Sequence, residues 1–196
     1  MTLDHVSREG LTGLLLAGGG SSRMGTDKAA LLVEGEPLAH RVAGVLLATC
    51  AGVVVASGDG RRLDWLGFPQ VSDLEPAAGP LAGLVPGLEV ATTTRVAVLA
   101  VDMPDASAAV LELLAESIGA HEAAVPRTER GLEPLHAVYA ATAAGGLRAA
   151  FDAGERSVVR ALEGLDVVVV EPDDWAAADP SGRFARNLNR PEDLLA

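Results

Sequence analysis

The 196-residue sequence predicts a parallel-dominated α/β sandwich whose ligand crevice lies beyond the carboxyl ends of its strands. Three observations carry that expectation. Short apolar runs alternate with stretches of helical spacing, as when strands buried on both faces alternate with crossover helices. The first such run opens directly into a glycine-rich loop. The clearest run, Arg95–Val101, ends on an acid, Asp102.

The elements follow in order. Residues 1–10 read as a loose polar lead-in, and 11–196 as one domain. Gly13–Ala17 is a fully apolar strand, followed by the loop Gly18–Asp27. Pro37–Thr49 has helical spacing, and Val53–Ala56 is a second buried strand. Gln70–Ser72 forms a short third strand before the Pro/Gly-rich stretch Glu75–Gly83. A helix follows, in which Pro86 must sit at the first turn or kink it. Arg95–Val101 is the next strand, and Ser107 caps a helix reaching Ser117. Ala123–Pro126 and Pro134–Tyr139 are strands around a turn at Arg130–Gly131. Helices at Ala140–Ala153 and Ser157–Leu162, a strand at Val167–Val170 and a short helix after Pro191 complete the chain.

Composition excludes several classes. With 15 basic against 27 acidic residues the net charge is −12, a field that repels nucleic acid, and no basic stripe offsets it. Aromatics are 3%, too few for a base-stacking platform. A chain of this length buries roughly 70% of its unfolded surface, so no disulfide or metal staple is required. Cys50 is the only cysteine, which excludes a disulfide framework and suits a reducing compartment. The start, MTLDHVSREG, has no basic n-region of a signal peptide. The longest uncharged apolar stretch, Val42–Gly58, is divided by Gly44, Gly52 and Gly58, which suits a helix–strand unit rather than a membrane span. The expectation is a cytoplasmic protein that binds neither nucleic acid nor membrane.

Leu16–Lys28, LAGGGSSRMGTDK, carries the first chemistry. Consecutive glycines let backbone amides approach an anion, while Arg23 adds a fork of donors and Lys28 a point charge. A dinucleotide fingerprint would need glycine where Arg23 stands, and a Walker loop would need lysine where Thr26 stands, so this is an anion loop of another type. The alternative is a flexible strand-to-helix turn with two solvated bases. Lys28 is the only lysine, and Asn187 and Asn189 are the only asparagines. Solitary Ile118 and Gln70 fall in no motif, so rarity alone decides nothing. Asp102-Met103-Pro104 places a carboxylate at a strand end, suited to Mg²⁺ shared with substrate phosphates, or to an ordinary loop aspartate.

These motifs, with GPLAG at Gly79–Gly83, PLHAVY at Pro134–Tyr139 and NLNRPEDL at Asn187–Leu194, occur together in one order. The chain resembles the MobA family of molybdenum cofactor guanylyltransferases over residues 12–195. The resemblance implies the Rossmann-like three-layer α/β/α sandwich of nucleotide-diphospho-sugar transferases. It also implies transfer of GMP from GTP to the terminal phosphate of molybdopterin, with release of pyrophosphate. By the same resemblance Leu16, Ala17, Gly18, Gly19 and Gly79 contact the nucleotide, as does Asp73, while Arg23 and Lys28 hold phosphates. Asp102 binds nucleotide and Mg²⁺. Arg156 in GERSV, with Asn187 and Asn189, falls on the molybdopterin side. Cofactor-donor proteins and apo-molybdoenzymes are the implied protein partners. One departure stands out: the family often has Asn at the end of the second buried strand, where this chain has Ala56-Ser57, with Ser57 or Asp59 as partial substitutes.

The chemistry is consistent with these residues. A phosphate monoester is already largely dianionic at pH 7, so no general base is required, and the task is to neutralise and align anions. Among the other residues, His5, His40, His121 and His136 have no metal-ligand spacing. Cys50 reads as a small core residue rather than a nucleophile, Trp65 and Trp175 as packing or substrate-edge residues, His136 as structural or a substrate contact, and Asp173-Asp174 as a solvated pair. Asn187 and Asn189 either line one wall of a cleft or cap and turn the chain before Pro191. Arg156 precedes a candidate cap, Ser157, where it either binds phosphate or stays at the surface. Rival functions are a cytidylyltransferase on the same cofactor, a sugar-phosphate nucleotidylyltransferase, and a non-catalytic nucleotide-binding module.

Overall fold

The computed structural model describes residues 10–18 and 27–188. A central sheet contains β1 (Leu11–Leu16), β4 (Gly52–Gly58), β5 (Gln70–Ser72), β6 (Arg95–Ala100), β7 (Ala123–Thr128), β9 (His136–Ala140) and β10 (Val167–Val170). Its order is β10-β7-β9-β6-β1-β4-β5. Only β9 runs against its neighbours: β1 is parallel to β4 and β6, β4 to β5, and β10 to β7. The two-residue β8 (Gly131–Leu132) folds back on β7, and Leu32–Val33 (β2) pairs with Glu36–Pro37 (β3) in a separate ribbon.

Alternation along the strands makes the two cores. Leu11 and Leu15 of β1 face one side with Val53, Val55, Ala97 and Leu99, while Leu14 and Leu16 face the other with Ala56, Val96 and Val98. Helices α1 (Leu38–Thr49) and α3 (Ala108–Ser117) cover the first face. Helices α2 (Pro80–Glu89), α4 (Ala143–Asp152) and α5 (Val158–Ala161) cover the second. The result is the α/β sandwich that the alternation predicts, in the three-layer form that the resemblance implies. The sheet is packed so closely that a Cβ on Gly87 of α2 would lie 2.4 Å from the Leu14 side chain.

Several boundaries differ from the sequence expectation. The first strand starts at Leu11 rather than Gly13, because Leu11 and Thr12 are already paired with β6. Strand β9 starts at His136, since Pro134 and Leu135 form the turn that leads into it. Asp173 and Asp174 are both exposed, as a solvated pair should be. They open a short helix, α6 (Pro172–Trp175), where Asp174 accepts the Glu171 amide at 3.2 Å in a capping box. The expected helix after Pro191 lies outside the described residues.

Pro86 sits in the second turn of α2 and neither starts nor ends it. Lacking an N–H, it releases the Ala82 carbonyl, which accepts the Leu74 amide at 2.9 Å instead. A residue that would ordinarily weaken a helix here ties the loop after β5 onto α2, and that loop carries Asp73.

Candidate active site

The strand order reverses at β1: β4 and β5 continue on one side and β6 lies on the other. In an open α/β sheet the crevice falls at such a switch point, outside the carboxyl ends of the two diverging strands. The segments leaving those ends are Ala17-Gly18 and Val101-Asp102. Lys28 and Asp102 meet there, Nζ lying 3.2 Å from Oδ2, with side chains 21% and 25% exposed.

Both groups are held from behind. Lys28 opens a 3-10 turn, Lys28–Ala30, whose cap Asp27 accepts the Ala29 amide on Oδ1 at 3.0 Å. Asp102 leaves β6 in a turn closed by the Met103 amide donating to the Ala100 carbonyl at 3.3 Å. Met103 is buried beneath it, and Arg41 of α1 donates to the Pro104 carbonyl at 2.8 Å. The Asp102 carbonyl accepts the Leu188 amide at 2.8 Å, which draws the segment carrying Asn187 to this edge. Gly19, Arg23 and Asn189 lie outside the described residues.

Asp73 follows β5 and is fixed by its own amide, which donates to the Gly58 carbonyl at 2.9 Å, and by the Leu74–Ala82 bond. Its carboxylate fits between two glycines. A Cβ on Gly18 would lie 2.5 Å from Oδ2, and one on Gly83 would lie 3.0 Å from Oδ1. Oδ1 is buried with no hydrogen-bond partner. Burial raises the Asp73 pKa, against the opposing pull of the Gly58 backbone and the Arg62 charge. Leu16, Ala17 and Gly18 therefore gather with Asp73 and the first turn of α2, where Gly79 adopts φ +88° ahead of the helix. Most side-chain-bearing residues avoid that conformation.

Arg156 is placed beside this turn, its carbonyl 3.7 Å from where a Gly79 Cβ would be. Its guanidinium donates to the Phe151 and Glu155 carbonyls and to Glu75, each at 2.9 Å, and stacks 4.0 Å from the Phe151 ring centroid. These bonds tie it to the loop before α2 rather than to Lys28 or Asp102. The amides of Arg156 and Ser157 are both taken by the Glu155 carboxylate.

Sequence reasoning missed Arg62. Its Nε donates to the Ser57 carbonyl at 3.1 Å, and its terminal nitrogens bond Ala17 O and Asp27 Oδ2. The only sequence signal was an Arg-Arg pair a few residues beyond a buried strand. At the family's Asn position, Ala56 is buried in the α2 face, and the Ser57 hydroxyl is buried without a partner.

Of the residues set aside, Cys50, His136 and Trp175 are structural. Cys50 is a core residue whose thiol burial pushes up to about 11. His136 is fully buried, accepts the Ser107 amide on Nε2 at 3.1 Å, and is driven down to about 4 by desolvation. Trp175 packs edge-on against Phe184 and donates to the Arg127 carbonyl at 2.9 Å. Trp65, still 45% exposed, meets the ring of exposed His40 edge-on. His121 pairs with Asp166. His5 lies outside the described residues.

Comparison with known proteins shows the family and the fold. Residues 13–174 match the MobA-like NTP transferase domain. A probable molybdenum cofactor guanylyltransferase of Natronomonas pharaonis is 38% identical, over 93% of this chain and 94% of the relative. One from Chloroflexus aggregans is 36% identical, over 94% and 91%. Among solved structures, molybdopterin-guanine dinucleotide biosynthesis protein A from Archaeoglobus fulgidus superposes with a TM-score of 0.80 at 28% identity, covering 94% of this chain and 95% of that one. The 2-C-methyl-D-erythritol 4-phosphate cytidylyltransferase of Thermus thermophilus shares the fold, with a TM-score of 0.68 at 20% identity over 93% and 94%. This chain is a member of the MobA-like NTP transferase family.

Proposed function

We propose that the protein transfers GMP from GTP to the terminal phosphate of molybdopterin, releasing pyrophosphate. The observation that carries this is the 3.2 Å meeting of Lys28 and Asp102 at the switch point, in a chain whose relatives bear that activity in their names. The attacking group is a phosphate already largely ionised at neutral pH, so the protein's task is charge and alignment rather than proton abstraction. Lys28 and Arg23 neutralise phosphate oxygens. The backbone of Leu16–Gly19, with Asp73 and Gly79, holds the nucleoside end. Arg156, Asn187 and Asn189 hold the pterin side.

Mg²⁺ fits this donor set. Among the described residues no three His, Cys, Asp or Glu side chains come together as a protein-only metal cage. Asp102 instead presents a quarter-exposed carboxylate at the crevice edge, suiting a hard ion that takes one or two carboxylates and completes its shell with phosphate and water. Bound there, Mg²⁺ would withdraw charge from the phosphates and help align them. The same reading places the protein in the cytoplasm, with cofactor-donor proteins and apo-molybdoenzymes as partners. No helix among the described residues is long and apolar enough to cross a membrane.

A melting experiment with GTP, CTP and ATP, each with and without Mg²⁺, tests nucleotide choice. A ligand at a hundred times its Kd stabilises a fold by about 2.7 kcal/mol. GTP should give the largest shift, and Mg²⁺ should increase it. A preference for CTP would reassign the protein to cytidylyl transfer, and no shift with any nucleotide would overturn the proposal.

A further inference from the structure

We infer that Arg62 is a positioning residue: its single guanidinium staples both ends of the glycine-rich loop to each other and to β4, and thereby sets Lys28 over Asp102. Two of the acceptors lie at the ends of the loop. Ala17 O stands just before it and Asp27 Oδ2 at its last residue, while Ser57 O, 3.1 Å from Nε, belongs to β4. The backbone that aims Arg62 is itself fixed, because Asp59 Oδ1 accepts the amides of Arg61 and Arg62 at 3.0 and 2.7 Å. Asp27 passes the constraint on. While one of its oxygens takes Arg62, the other caps the turn that carries Lys28, and Lys28 reaches Asp102 at 3.2 Å. The contacts thus run from β4 to β6 across the end of β1.

The residue type matters. A guanidinium offers three nitrogens in one plane and can serve three acceptors at once, whereas the compact ammonium of lysine cannot span them. The Arg62–Asp27 pair is about one-third exposed, 32% and 36%, so it adds little to stability. Its effect falls on geometry, where a displacement of about 1 Å costs on the order of a hundredfold in rate.

The catalytic consequence rests on the guanylyl-transfer reading, whereas the staple is a property of the nucleotide-free protein, so two readouts separate them. Arg62→Ala, Arg62→Lys, Asp27→Ala and the Arg62→Ala/Asp27→Ala double variant are assayed for kcat and KM with GTP and molybdopterin, for melting temperature, and for amide exchange without nucleotide. Arg62→Ala should lower kcat by about ten- to a hundredfold, by the positioning argument above, while melting within about 3 °C of wild type. Arg62→Lys should not rescue it. The double variant should be no worse than Asp27→Ala within about twofold, because both residues act through one chain of contacts. Amides at Gly18 and Lys28–Ala30 should exchange faster in Arg62→Ala. Wild-type kcat in Arg62→Ala, or losses that multiply in the double variant, would overturn the inference. If wild-type protein makes no dinucleotide, the functional reading has failed and exchange alone decides: faster exchange upholds the staple, and unchanged exchange overturns it.

Discussion

Two aspartates in similar loops have opposite environments. Asp179, in the segment after α6, is saturated: Oδ1 accepts the Ser181 amide and hydroxyl at 3.1 and 2.6 Å, and Oδ2 accepts the Phe184 amide at 2.9 Å. Burial pulls its pKa up, but the donors from Ser181, Phe184 and Gly182 outweigh that and hold it low. Asp73, at the switch point, has a buried oxygen with no donor, and burial wins. The contrast separates structure from function. A carboxylate whose lone pairs are filled by its own chain stabilises a turn, whereas one left short of donors between two glycines is what the proposed nucleotide contact calls for.

The largest expected effect lies at the switch point. Asp102→Ala and Lys28→Ala should each lower turnover by at least about a hundredfold, the scale for losing a preorganised charge, while leaving the melting temperature nearly unchanged. A variant with wild-type turnover would break the contrast. Next comes His136, on the structural side. It is neutral in the fold with a pKa of about 4, against about 6.5 unfolded. The unfolded chain therefore binds the extra proton first, so this stability is complete above pH 6.5 and is lost as pH falls towards 4, by about 3 kcal/mol at most. Melting profiles of wild type and His136→Gln across that window should differ in slope. Asp179→Ala should cost about 1–3 kcal/mol by leaving the Ser181 and Phe184 donors without an acceptor, and should not alter KM for GTP. Asp73→Asn should do the reverse, weakening GTP binding about tenfold without lowering the melting temperature, since it removes a poorly satisfied buried charge. Calorimetric titration with GTP distinguishes the two variants.

Legibility in the sequence followed the same division. Lys28 and Asp102 could be found because each borders a strong local signal, a glycine run and an apolar strand end, and the fold brings those ends together. The strands themselves were legible where both faces are buried, as at Arg95–Val101. Two-residue strands such as Leu32–Val33 have no period to read. Arg62 was invisible because its partners, Ala17 and Asp27, are 45 and 35 residues away, and nothing local marks the Asx turn at Asp59 that aims it. The sequence restricts Pro86 to a first turn or a kink, since its benefit in the second turn exists only once Leu74 is beside Ala82. The unfilled oxygen of Asp73 is likewise a tertiary property: the sequence shows an aspartate, and only packing between Gly18 and Gly83 leaves Oδ1 buried without a donor.

The most direct test is to incubate the protein with molybdopterin, Mg²⁺ and GTP, CTP or ATP, and to follow the pterin dinucleotide and pyrophosphate together. Guanylyl transfer predicts the guanine dinucleotide and one pyrophosphate per product from GTP, with neither formed by Lys28→Ala. A cytosine dinucleotide from CTP in place of the guanine product, or no product with any nucleotide, would contradict it.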